Sequence, residues 1–166
     1  VIRVVVDDLA FFHADAVVRP ADEMLAPLTP AMSRLDHQAG ERFASLRRVS
    51  SPLDAGAAVV TGAGELAAPF VLHVVLRDQH SPVDRGTVRR ALVAAWQRAA
   101  DWGLATVAAP LVGAGAGGLP IEESVELLIE TFQARTSPSC PAGLTLVVER
   151  DDERELVEAI VNRRIG

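Results

Sequence analysis

The strongest constraint on this chain is an alternation in its second half. Short apolar runs rich in β-branched residues, "FVLHVVL" (70–76), "LATVAA" (104–109) and "LTLVV" (144–148), are separated by longer segments whose apolar residues recur every three or four positions. One segment, from Ser81 to about Trp102, carries Val88, Leu92, Ala95, Ala99 and Trp102 in a stripe, with Gly103 as its stop. Another starts at Pro120 and carries Ile121, Val125, Leu128, Ile129 and Phe132. "DDERELVEAIVNRR" closes the chain, with acids in its first turn and arginines in its last, as the helix dipole favours. Such alternation predicts an α/β fold with a sheet covered on both faces.

The first half reads less regularly. "IRVVV" (2–6), "ADAVV" (14–18) and "AAVV" (57–60) are predicted strands, the second stopped at Pro20. Residues 30–47 predict one helix, opened by Pro30, with Met32, Leu35, Ala39, Phe43 and Leu46 on one side. Ser81-Pro82-Val83-Asp84 predicts a capped helix start with Ser81 as the cap. At 166 residues, one domain spanning 1–166 is expected.

Composition removes several function classes. The formal net charge is −6, and the arginines are scattered rather than gathered on one face, so nucleic acid is not an expected partner. No apolar run approaches the ~18 residues of a membrane span. "VIRVVVDDLAFF" lacks the basic flank and cleavage site of a signal peptide, and a chain opening on Val1 fits a trimmed N-terminus. Cys140 is the only cysteine, so neither an internal disulfide nor a cysteine zinc site is expected, and a cytoplasmic location follows. There is no lysine, which removes Schiff-base chemistry and the phosphate-gripping lysine of a P-loop. The Ala, Arg, Val and Gly bias points to a GC-rich bacterial genome.

"PLVGAGAGGLP" (110–120) is the segment with chemistry in it. It lies between a strand's C-terminal end and a helix's N-terminus, where open α/β sheets bind ligands. Glycines let backbone N–H groups face a guest, and a helix start adds free donors and partial positive charge. An anion seat without a cationic side chain suits a lysine-free acidic protein. Gly113 and Gly118 have P-loop spacing, but Leu119-Pro120 stands where Lys and Ser/Thr belong. Gly113, Gly115 and Gly118 spell the dinucleotide fingerprint, but the next candidate acid, Glu149, lies 31 residues past Gly118 and Pro120 interrupts the helix start.

The residues resemble the macrodomain, the ADP-ribose-binding module, along nearly the whole chain and in order. "DDL" (7–9) looks like the acid-containing pair before that family's first helical region, and "DAVV" (15–18) is similar to its "DAIVNAAN" strand. "GAAVVTGAGELAAPFVLHVV" (56–75) and "VAAPLVGAGAGGLP" (107–120) look like its two long signature blocks, with Pro110, Gly115, Gly118 and Pro120 in register. The resemblance implies a three-layer α/β/α fold with a mixed, mostly parallel central sheet and a cleft at its strand ends. It implies Asp8 as acceptor for an adenine amino group, with Leu9 beside it. It implies that Val112, Gly113, Ala114, Gly115, Ala116, Gly117 and Gly118 wrap a diphosphate and distal ribose. Glu149 and Arg150 fall where an aromatic often flanks adenine in that family.

The departures are as specific. The family's "N-A-A-N" falls on Arg19-Pro20-Ala21-Asp22, and its glycine-rich first loop falls on Leu25–Pro30, "LAPLTP". Arg19 and Asp22 are therefore ligand-binding candidates. Arg19 is expected to leave its strand toward the cleft or the rim, and there either to fill the distal-ribose space, the favoured outcome, or to fork onto a ligand phosphate or carboxylate. The leading expectation is binding of ADP-ribose or a related nucleotide without the usual hydrolase mechanism, and with no cofactor or metal. Two alternatives stand beside it. One is a hydrolase removing ADP-ribose from proteins or small molecules, with Asp22 as base or water-orienting group and Arg19 as the charge-stabilising catalytic residue. The other is a protein-interaction module with a vestigial cleft. Glu23 and Asp36 read as acids on a solvated face or loop, and His73 as a satisfied strand histidine; His13, His37 and His80 form no ligand spacing.

Overall fold

The β-branched runs form the strands of one sheet in a computed structural model that describes residues 1–115 and 118–165. In chain order the elements are β1 (Ile2–Val6), a 3-10 turn (Leu9–Phe11), β2 (Ala16–Asp22), α1 (Pro30–Ala39), α2 (Glu41–Leu46), β3 (Ala58–Gly62), β4 (Phe70–Arg77), α3 (Arg85–Asp101), β5 (Thr106–Ala109), α4 (Ile121–Gln133), β6 (Gly143–Val148) and α5 (Asp151–Ile165). The strands lie in the order β1-β6-β5-β2-β4-β3. All neighbours are parallel except β3, which runs antiparallel to β4 at the edge. The mixed, mostly parallel sheet and its two helical layers match the three-layer expectation.

Period-2 alternation assigns each strand residue to a layer. Ala16, Val18, Leu72 and Val74 face Leu92 and Trp96 of α3, Leu128 and Phe132 of α4 and Val157 of α5. Val17, Val71, Ala108 and Val147 face Met32, Leu35 and Ala39 of α1 and Phe43 of α2. Each wholly buried Val, Leu or Phe among them contributes about 1.5–3 kcal/mol by leaving water.

Three local expectations are corrected. The helix over 30–47 is two helices, because Gly40 takes φ +88° and ends α1; Glu65 N–H then bonds the Ala39 carbonyl at 2.9 Å. The cap of α3 is Asp84, which accepts Thr87 N–H at 2.8 Å; Ser81 lies in a preceding turn held by the Asp78 carboxylate. Strand β2 runs through Pro20 to Asp22. Its pairing with β5 stops at Val17, so beyond that point one edge of β2 has no ladder bond for a proline to remove.

Candidate functional site

Strands β1, β6, β5 and β2 are parallel neighbours, so their C-terminal ends open onto one edge of the sheet. Asp8 follows β1, Glu149 and Arg150 follow β6, the glycine loop follows β5, and Asp22 ends β2. The topology thus gathers segments far apart in sequence.

At the β1 end, Asp8 is exposed and caps the 3-10 turn, its Oδ1 accepting Ala10 N–H at 2.9 Å. Its other oxygen accepts no hydrogen bond from the described residues. The Leu9 side chain is buried in the α1 layer, so that residue can offer a ligand only backbone.

The loop after β5 is anchored at its base and open at its tip. Ser124 Oγ of α4 donates to the Val112 carbonyl at 2.6 Å. Leu119 and Gly118 N–H close back on the Gly113 and Gly115 carbonyls at 2.8 and 2.9 Å. A Cβ at Gly118 would come within 2.3 Å of the Gly113 carbonyl oxygen, so this glycine is required by the chain folding on itself. Gly115 is different. It is exposed with φ +125°, and the nearest atom to a Cβ there is Thr29 Cγ2 at 3.9 Å. Thr29 caps α1 through Met32 N–H, so the tip of the loop faces the positive end of that helix. Ala114 is half-buried and bridges to Leu119. Ala116 and Gly117, also candidates, lie outside the described residues.

The β2 end overturns the expectation for Arg19. Because β2 continues past Pro20, Arg19 shares the face of Val17 and points into the α1–α2 layer, with its side chain at 0% exposure. Its guanidinium forks onto Asp36 of α1, Nε to Oδ1 at 2.8 Å and Nη2 to Oδ2 at 2.7 Å. A buried arginine is tolerated only when paired, and Asp36, at 13% side-chain exposure, is its partner rather than a solvated acid. Arg19 therefore neither fills the cleft nor touches a ligand there, and the catalytic role expected of it is withdrawn.

The remaining Arg19 donor, Nη1, meets His73 Nδ1 at 3.2 Å. The Thr61 hydroxyl donates to the Gly62 carbonyl, so at 2.8 Å from His73 Nε2 its oxygen acts as acceptor. The hydrogen-bond pattern thus assigns His73 as neutral and protonated on Nε2. Burial, reinforced by Arg19 and Arg47, lowers its pKa to about 3. The Phe43 ring stacks on His73 at 5.8 Å, with the Arg19 guanidinium 5.6 Å from its centre.

Asp22 holds its own turn. Its Oδ1 accepts Met24 and Ala26 N–H, both at 2.9 Å. Leu25, at φ +60°, is buried against Ala21 and Val75, and its carbonyl accepts Arg47 Nη1 at 3.0 Å. Glu149 and Arg150 are exposed. Glu149 accepts Arg34 of α1 at 2.8 Å, and Arg150 pairs with Asp152 at the start of α5. Thr29, Arg34 and Arg47 are the edge residues that the sequence reading missed; the α1 register singles out the first two and the end of α2 the third, and neither is available before the helix bounds are known.

Two depressions among the described residues lie away from this edge. One is lined by Ile129, Glu130, Gln133, Ala134 and Arg164. The other, about 210 Å³ and lined by residues such as Arg3, Thr106 and Thr145, sits at the opposite ends of the strands. Among the described residues no group of three or more His, Cys, Asp or Glu is placed to hold a metal ion, and no helix is long and apolar enough to cross a membrane.

A family model described as "Macro domain" matches residues 33–128, more than half of the chain. Uncharacterized proteins of Aquifex aeolicus and Aeropyrum pernix are 31% and 32% identical over 95% and 74% of this chain; it spans 94% and 66% of their lengths. An O-acetyl-ADP-ribose deacetylase of Enterobacter is 26% identical over 98% of this chain and 94% of its own. Among solved structures, a Trypanosoma brucei macrodomain in complex with ADP-ribose superposes with a TM-score of 0.83 at 18% identity, over 96% of this chain and 68% of that one. An Oceanobacillus iheyensis macrodomain superposes at 0.84 and 16%, over 98% and 90%.

Proposed function

Because the chain belongs to the macro domain family, we propose that it binds ADP-ribose or a related adenine nucleotide diphosphate across the C-terminal strand ends, as a single domain over 1–166. The base lies at Asp8, whose uncommitted oxygen accepts the adenine amino group, and the diphosphate lies at the loop after β5. A structural neighbour that holds ADP-ribose supports the ligand class. An ADP-ribosylated protein carries the same group and is the macromolecular partner that this reading admits.

The observation that carries the reading is Gly115. Gly118 is explained by the loop's own closure, whereas Gly115 is exposed, left-handed and directed at the N-terminus of α1. Backbone N–H groups there and a helix start together seat an anion. The test is titration calorimetry with ADP-ribose on wild type and Gly115→Glu, with circular dichroism as the folding control. Wild-type binding and at least a tenfold loss in the folded variant are expected. Equal affinities discard the anion seat.

The deacetylase among the relatives favours a second reading, hydrolysis of an ADP-ribose ester or conjugate. Against it, Arg19 is committed to Asp36, and one Asp22 oxygen is committed to two amides. Assay of O-acetyl-ADP-ribose and of ADP-ribosylated protein is expected to show no turnover. Turnover abolished by Asp22→Ala replaces the binder with an enzyme.

A further inference from the structure

We infer that this strand-end edge recognises its ligand chiefly as far as the second phosphate: its specificity is that of a nucleoside diphosphate, and a sugar beyond it contributes little. The inference rests on the proposed binding function and deepens it. The edge order is β1, β6, β5, β2. With the base at Asp8 and the phosphates at the loop after β5, anything attached to the outer phosphate meets the turn after β2.

That turn has few groups left to give. Met24 and Ala26 N–H bond Asp22 Oδ1, Leu25 N–H bonds the Asp22 carbonyl at 2.9 Å, and Asp22 N–H bonds the Ala26 carbonyl at 3.0 Å. Pro27 and Pro30 have no N–H. The turn is also pinned from behind, by Arg47 on the Leu25 carbonyl and by Leu53 N–H on the Glu23 carbonyl at 2.8 Å, with the Leu25 side chain buried. Reopening it breaks these contacts together. A sugar laid against such a wall finds few N–H donors for its oxygens, and the second Asp22 oxygen is the side-chain acceptor left for its hydroxyls.

The same turn also acts on a longer phosphate chain. Asp22, at the end of β2, carries a carboxylate at the outer end of this edge, with Arg19 turned away and paired with Asp36. A third phosphate meets like charge there. AMP lacks the second phosphate that the proposed binding mode places against the loop after β5, so the diphosphate lies between these limits.

Calorimetry of the full chain with AMP, ADP, ATP and ADP-ribose, without divalent cations and at one ionic strength, tests this. ADP and ADP-ribose are expected within fivefold of each other, with AMP and ATP each more than fivefold weaker than ADP. Asp22→Asn keeps an acceptor for Met24 and Ala26 and removes the charge, so it should narrow the ratio of ADP to ATP affinity. ADP-ribose binding more than fivefold tighter than ADP overturns the inference and leaves the binding function standing. An unchanged ratio in Asp22→Asn also overturns it, since that carboxylate is then not at the outer phosphate. Binding of none of the four overturns the proposed function as well.

Discussion

On one side of the sheet Trp96 of α3 and Phe132 of α4 meet edge to face at 5.6 Å, in a layer of Val, Leu, Ile and Ala. Its buried polar groups are neutral, such as the Trp96 indole N–H, which donates to Thr131 Oγ1 of α4 at 2.9 Å. On the other side, between β2, β4, α1 and α2, Arg19, Asp36 and His73 are enclosed beside Phe43. The two layers bury comparable elements against one sheet. The apolar layer tolerates loss of a side chain in proportion to the cavity left. The ionic layer depends on every partner being present, because removing one leaves another charge or acceptor buried without compensation.

The largest expected effect follows from that contrast. Arg19→Ala leaves the Asp36 carboxylate with only the longer Arg47 contact at 3.7 Å and strands the His73 Nδ1 acceptor, and should cost about 3–5 kcal/mol in urea unfolding. Phe132→Ala in the apolar layer should cost about as much, roughly 3–5 kcal/mol, through a cavity. The layers separate on rescue: Arg19→Met combined with Asp36→Leu should recover most of the loss, since the buried charges then go together. If Arg19→Ala costs under about 1 kcal/mol, the ionic layer is not held by its fork.

The next effect is a pH dependence confined to the ionic layer. His73 has a pKa of about 3 in the fold, against 6.5 for the ordinary side chain. Between these values the unfolded chain binds a proton that the folded chain refuses. His73 therefore costs no stability above about pH 6.5, and stability falls as pH drops toward 3. The slope from this one group approaches about 1.4 kcal/mol per pH unit in that window. Unfolding free energies at pH 7.5, 5.5 and 4.5 should show the decline, and His73→Gln should flatten it. An equally steep decline in the variant assigns the acid sensitivity to other groups.

The same contrast explains how much was legible in the sequence. The apolar layer repeats every three or four residues in α3 and α4, so its helices, strands and glycine loop were readable before any coordinates. The ionic layer has no period. Arg19 and His73 are 54 residues apart and meet only because β2 and β4 pair in that register. Reading β2 as stopped at Pro20 sent Arg19 to the cleft; the early end of the β5 pairing, which makes that proline harmless, is a tertiary fact. Gly40 was hidden by an apolar pattern that runs on past the break into α2. At the candidate site the glycine loop was legible because it follows a strand, whereas Asp8 was singled out only through the family resemblance. The self-closure of the Asp22 turn was not legible, since it depends on which N–H groups fold back.

The smallest effect sharpens the comparison with one chemistry in two settings. Arg19–Asp36 and Arg34–Glu149 are both arginine–carboxylate pairs, at 2.7 and 2.8 Å. Their distances are nearly equal, but the first arginine is wholly buried, while the side chains of the second pair are 62% and 61% exposed. Water and salt screen the exposed pair, and holding two long side chains in one geometry has an entropic cost, so such contacts contribute about 0–1 kcal/mol. A double-mutant cycle with Arg34→Ala and Glu149→Ala should therefore give a coupling below about 0.5 kcal/mol that fades in 0.5 M salt. The same cycle on Arg19 and Asp36 should give several times that value, largely insensitive to salt. If the exposed pair couples as strongly as the buried one, burial is not what separates the two, and the account of the ionic layer given for Arg19 loses its physical basis.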